Sequence, residues 1–234
     1  MQLFTIILYQ PLFNLLVFLY NIVPGHDLGI AIILLTVLVR LILYPLNRKA
    51  IVSQKNLQTL QPKLNELKEK YKDNREALSK EMMELYRREK INPFSSCLPI
   101  LIQLPILLAV FSVFRNGLNG TSFQLLYPFV MNPVTLHTVA FGFLDLTKRS
   151  IVLGVLTGIA QFWQTKMLMG ARKKAVGNDM ASAMNTQMLY VMPVFTGFLG
   201  ATFPSGLALY WFFTTLFSGL QQVWMIRRGQ IAKA

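Results

Sequence analysis

Arg40 is the single charge in ILLTVLVRLILYPLN, residues 33–47, ahead of Arg48 and Lys49. A guanidinium near the middle of a membrane helix costs roughly 2.5–3.5 kcal/mol on insertion scales. Either it snorkels toward the surface, with Arg48 about 12 Å of helical rise away, or it faces water or an anion. Thr36, Arg40 and Tyr44 are spaced four apart and share one helical face. Other polar residues interrupt later apolar runs: Gln103, Gln161 and Gln164, then Trp211 with Thr214 and Thr215. The ordinary role of such glutamines is interhelical hydrogen bonding, worth about 0.6–2 kcal/mol each. None of the apolar runs contains a carboxylate to pair with Arg40. A buried cation without a fixed partner needs water, phosphate or a visiting anion. The chemistry on offer is therefore electrostatic attraction of an acidic group.

Covalent chemistry finds no support. The sequence has no HExxH, no GxSxG and no Walker loop. His26 and His137 have no spaced partners that would make a metal site, and Ser205 between Pro204 and Gly206 reads as a turn former. The one cysteine, Cys97, opens an apolar run and reads as packing. We expect no enzyme activity, no cofactor and no metal; any energy-coupled step is driven from outside the chain.

The elements that must position these residues follow from hydropathy. Of 234 residues, 53% are hydrophobic and 14% charged, with mean hydropathy +0.45, which places the chain among integral membrane proteins. In a soluble protein the net charge of +13 would point to nucleic acid. Here topology explains it better, and no direct nucleic-acid function is expected. Residues 28–47 read as the first span, followed by 97–114, 150–169, 187–203 and 206–226. Residues 3–23 are apolar but contain Gln10, Pro11 and Asn14. If Pro11 begins a helix, the remainder is too short to cross, so an interfacial helix is favoured over a span. Residues 128–144 are broken by Pro128, Asn132 and Pro133 and read as an outer-surface segment.

Basic residues orient the bundle. Segments 48–96 and 166–186 and the tail after 226 together hold 19 Lys and Arg, against Arg115, Lys148 and Arg149 on the other side. That asymmetry puts the amino terminus outside and the carboxyl terminus in the cytoplasm. Within the long basic loop, Leu57, Leu60, Leu64, Leu67 and Tyr71 follow heptad spacing, and Leu78, Met82 and Leu85 form a second stripe beyond Lys72-Asp73-Asn74. The spacing predicts a two-helix cytoplasmic hairpin with charges of both signs on its surface.

Taken in order, LLTVLVRLILYPL, LQTLQPKLNELKEKYKDN, EMMELYRREKINPFSSCLPILIQLPI and FPSGLALYWFFTTLFSGLQQ resemble the YidC/Oxa/Alb membrane-protein insertase family. The resemblance runs from residue 11 almost to the end, and PLFNLLVFLYNIVP looks like that family's interfacial helix. It implies an all-α integral membrane protein: five transmembrane helices around a hydrophilic groove open to cytoplasm and lipid. The corresponding division is 1–27 interfacial helix and turn, 28–47 first span, 48–96 hairpin, 97–226 remaining spans and 227–234 tail. Compared with some bacterial members, the large external domain and an extra amino-terminal span are missing, as in the compact five-span form.

By position Arg40 matches the family's groove arginine, and Gln164 and Trp211 match groove-lining positions. Gln103 is added from its place in a span. The implied function is insertion and folding of newly made membrane proteins in the inner membrane, alone or beside the Sec translocon. Ribosome contact is in doubt because the tail after Arg228 is short. A small-solute transporter or channel would also place an arginine in a polar cavity, but no internal repeat is visible.

Overall fold

The computed structural model describes residues 2–92, 98–116, 121–169 and 187–229. Cys97, the basic loop 170–186 and the tail from residue 230 lie outside the described residues. The protein is mostly helical, with one two-stranded hairpin.

The first helix, α1 (Gln2–Ile22), is 21 residues long with a mean hydropathy of 1.8, long and apolar enough to cross a membrane. It corrects the expectation of a helix that starts at Pro11. The chain is helical on both sides of the proline because residues Thr5–Tyr9 widen into a π-turn, with the Gln10 N–H bonded to the Thr5 carbonyl. A π-turn makes room where a proline ring would otherwise meet the preceding carbonyl. One side of α1 carries Phe13, Leu16, Val17 and Tyr20 into the main core, while Leu3, Ile6, Ile7 and Ile22 remain exposed.

Pro24 and Gly25 then turn the chain, Gly25 at φ 77°, a left-handed value that favours glycine. Helix α2 (Leu28–Ile42) starts at Asp27, whose Oδ1 accepts from the Ile30 N–H at 3.0 Å. The span read as residues 28–47 is two pieces in the structure: α2 ends at Ile42, and α3 (Tyr44–Lys70) leaves at 68°. Pro45, at the start of α3, cannot donate to the preceding turn and disfavours helical backbone before it, which accounts for the break. Together α2 and α3 also pass as one bent apolar span.

Helix α3 buries Ala50 and Ile51, with Ile51 packed near Met225 at the far end of the bundle, and then runs out as one arm of a hairpin. The other arm is α4 (Arg75–Arg88), capped by the Asn74 side chain, which accepts from the Ala77 N–H. Leu60 and Leu64 are buried in α3, whereas α4 has no buried residue. Lys63 pairs with Glu89 across the arms, and Arg88 with Glu84 along α4.

Among the described residues, four helices complete the bundle: α5 (Leu98–Asn116), α6 (Ile151–Met169), α7 (Met192–Thr202, continuing a π-turn at Gln187–Val191) and α8 (Ser205–Arg227). Between α5 and α6 lies irregular chain, with a small antiparallel hairpin of β1 (Val139–Ala140) and β2 (Leu144–Asp145). Glycines allow the closest approaches. A Cβ on Gly154 of α6 would stand 2.6 Å from both the Cβ and the backbone nitrogen of Ala201 on α7. Gly158, Gly197 and Gly200 continue that seam, the small-residue packing that lets membrane helices touch backbone to backbone. Gly219 of α8 likewise leaves room for the Trp163 ring of α6.

Candidate functional site at Arg40

Arg40 lies in the last turn of α2, just before the bend at Leu43. It is half-buried and, among the described residues, forms no ion pair and no hydrogen bond. A cavity of about 390 Å³ opens beside it. Its walls are two matched stripes: Val37, Arg40 and Tyr44 on one side, and Phe217, Gln221 and Trp224 of α8 on the other. Val37 and Arg40 lie one turn apart on α2 and Tyr44 follows beyond the bend on α3, while Phe217, Gln221 and Trp224 step by three or four along one face of α8. Tyr44 meets Trp224 edge-on at 6.3 Å, and the Arg228 guanidinium covers the other part of Trp224 at 4.6 Å from the ring centre.

The walls are mainly apolar, yet several amides near them have no protein partner. Gln221 Nε2 is buried on the cavity wall without a hydrogen bond, as are Gln222 Oε1 and Asn47 Nδ2 within a turn of it. An unpaired buried polar atom costs about 1–3 kcal/mol, and in native proteins such atoms are served by protein or water. Here the nearby protein does not serve them. The cavity has room for water beside its polar wall residues Arg40 and Gln221. The arrangement suits a recess that is apolar over most of its wall and carries one positive charge.

The other residues singled out from the sequence fall in different places. Gln103 of α5 donates to the Tyr210 hydroxyl of α8 at 3.3 Å. Tyr210 is buried, so Gln103 and Tyr210 form a polar pair between α5 and α8. Gln164 shares the face of α6 occupied by Leu153, Thr157 and Ala160, which are buried, so it points inward toward the bundle. Trp211 is half-buried on a different face of α8, in line with Thr215, Ser218 and Gln222. Neither Gln164 nor Trp211 lines the cavity at Arg40.

Ser205 is fully buried, and its hydroxyl donates to the Asp145 carbonyl. It pins the start of α8 to the loop before α6, with Gly206 N–H bonded to the Leu146 carbonyl. Its polar atoms are committed to that corner, a structural role. Among the described residues, no three His, Cys, Asp or Glu side chains gather as a metal site.

Sequence reasoning missed Tyr210 and Gln221. Tyr210 adjoins Trp211, and Gln221 lies seven residues from Thr214. Helical periodicity alone would have set Tyr210, Phe217, Gln221 and Trp224 on one stripe of α8. The glycine seam was also legible, as GVLTG at residues 154–158.

Comparison with known proteins places the chain in a family. The family model described as 60Kd inner membrane protein matches residues 18–233. A membrane protein insertase YidC from Fusobacterium nucleatum subsp. nucleatum is 36% identical over 224 residues, covering 95% of this chain and 98% of that protein. Proteins of the same name from Francisella tularensis subsp. novicida and subsp. tularensis are each 39% identical over 202 residues, 86% of this chain. The matched part is 32% of the Francisella proteins, so against them the chain spans about a third of the length. With the family model matching most of its residues, the chain belongs to the 60Kd inner membrane protein family, the YidC/Oxa insertases.

Proposed function

We propose that this chain inserts membrane proteins, and that Arg40 is the charge that receives their polar tails. The carrying observation is a positive side chain without a counter-ion among the described residues, on the wall of a cavity where the buried Gln221 Nε2 also lacks a partner. A substrate's tail must cross hydrocarbon, where each buried charge or unpaired peptide group costs kilocalories. A half-depth aqueous recess shortens the dry path. Arg40 attracts tail carboxylates transiently, and the apolar stretch then moves along α6 and α8, past Gln164 and Trp211, into lipid. Gln103 holds Tyr210 and so ties α5 to α8. The hydrophobic effect on the new helix, with the membrane potential acting on the tail, drives the step.

In this reading α2, α5, α6, the helical stretch of residues 187–202, and α8 are the five spans, with the α3–α4 hairpin in the cytoplasm and the carboxyl terminus there too. The strong Lys and Arg asymmetry supports that orientation. Helix α1 lies at the outer interface. Its Tyr9, Asn14, Tyr20 and Asn21 bond in sequence to Ser122, Leu125, His137 and Met131. That companion segment is irregular chain bonded to α1 at only a few points, which fits one leaflet and its interface rather than a full crossing beside a spanning helix. Nascent membrane proteins and the bilayer are the partners; the Sec translocon and ribosome would meet the cytoplasmic face.

The test is insertion of a small single-span substrate into liposomes containing the purified protein. Photo-crosslinkers beside Gln164 and Trp211 should trap the substrate while it inserts. Crosslinks confined to Phe129–Phe143 would point instead to a holding role on the outer face. Solute flux without insertion would favour a transporter.

A further inference from the structure

We infer that the segment of residues 121–143 is embedded in the outer leaflet, forming with α1 a lipid-immersed cap over the bundle. The inference rests on the proposed orientation, with this face outside. Its first support is charge. From Asn116 to Leu144 the sequence has no Asp, Glu, Lys or Arg, and neither does the stretch from Met1 to His26. Charge returns at once on either side, at Arg115 and at Asp145, Lys148 and Arg149.

The second support is what the segment exposes. Phe129 is 76% exposed, Met131 and Val134 78%, and Phe143 81%. These are the tips of irregular chain, and α1, to which the segment is bonded, exposes Phe18 and Ile22 near the Tyr20 and Asn21 contacts and Leu3, Ile6 and Ile7 at its other end. Phe129 stacks on Tyr127 and Phe143 leans on Phe141, pairs suited to the aromatic belt of a membrane interface.

The third support is independent of apolar area. A water-facing loop leaves its backbone to solvent, whereas irregular chain in a membrane must be satisfied by protein. Here side chains do this along the segment. The Leu125 carbonyl accepts from Gln10 and Asn14, and the Tyr127 N–H donates to Asn14 Oδ1. The Met131 carbonyl accepts from Asn21, the His137 N–H donates to the Tyr20 hydroxyl, and the Phe141 N–H to Asp27 Oδ2. The polar residues that interrupt α1 thus serve a neighbour that lipid cannot serve. A bilayer is the occupant that fits an uncharged, apolar-tipped surface whose backbone is bonded by protein at points along its length.

The experiment places single cysteines at Phe129, Val134, Phe143 and, as a control, Lys148, in a Cys97→Ala background. Each is labelled with an environment-sensitive dye in liposomes and exposed to spin-labelled lipid or to aqueous iodide. The expected result is blue-shifted emission at the first three positions, largely lost to lipid-borne quencher and spared by iodide, with the reverse at Lys148. Iodide quenching equal to that at Lys148 would overturn the inference, as would protection from both quenchers, which would mean a protein covers the surface. Insertion of the single-span substrate by the same labelled proteins reports an intact fold. Lipid quenching without insertion would leave this inference standing while the insertase reading fell.

Discussion

Replacing Gly154 by alanine tests how the bundle holds its shape. The new Cβ would lie 2.6 Å from the Ala201 Cβ and nitrogen and 2.7 Å from the Gly197 carbonyl oxygen. Ordinary contacts begin near 3.4 Å, so α6 and α7 must separate by roughly 1 Å, because two of the obstructing atoms are backbone and cannot rotate away. Overpacking of this kind costs about 1–3 kcal/mol. Alanine recovers about 1 kcal/mol of helix propensity over glycine. A clash against backbone belongs at the upper end, leaving a net loss of about 1–2 kcal/mol. Gly158→Ala, whose closest contact is the Pro193 carbonyl at 3.0 Å, should come out near neutral. Reversible unfolding in detergent, followed by far-UV circular dichroism, measures both. If Gly154→Ala matched or exceeded the parent while Gly158→Ala lost stability, the seam as described would be wrong.

Hydrogen exchange should find α4 the least protected helix, since it buries no residue; protection equal to that of α6 would exclude a mobile arm. Leu64→Asp should disrupt the hairpin by several kcal/mol through an unpaired buried charge, while Lys63→Ala changes stability by about 1 kcal/mol or less, as for a surface pair. Hydrogen bonds from Thr147, and then Lys148, hold Asp145 below the usual carboxylate range. Because its folded-state pKa is lowered, its stabilisation is present above the unfolded value of about 3.9 and fades as pH falls through the lower folded value. Asp145→Asn should therefore flatten the acid limb of a stability profile; an unchanged limb would show that the Thr147 contacts carry no linkage.

Much of the bundle is legible in the sequence because apolar runs of near-spanning length admit few alternatives, and α5, α6 and α8 follow their expected runs to within a few residues. Two features were not. Proline was read as a helix start at Pro11, where a π-turn carries the helix through, and Pro45 broke a run that hydropathy alone joins. Hydropathy averages over a window and is blind to one backbone dihedral. At the site, Arg40 stood out because a lone charge in an apolar run is costly whatever surrounds it. Tyr210 and Gln221 did not, since which face of α8 meets α2 depends on packing between distant segments. Trp211 and Gln164 were expected beside Arg40 from the family resemblance, yet lie off the cavity that Arg40 lines.

The central claim is that Arg40 faces water continuous with the cytoplasm, and Val37 on the same cavity wall tests it without removing the charge. A Val37→Cys protein lacking Cys97 is placed in sealed inside-out membrane vesicles, which present the cytoplasmic face, and treated with a membrane-impermeant maleimide. The account predicts rapid modification there, slowed when an acidic-tailed substrate is engaged, and none in right-side-out vesicles. A cysteine that resists the impermeant reagent from both sides, yet reacts with a lipid-soluble one, would contradict it.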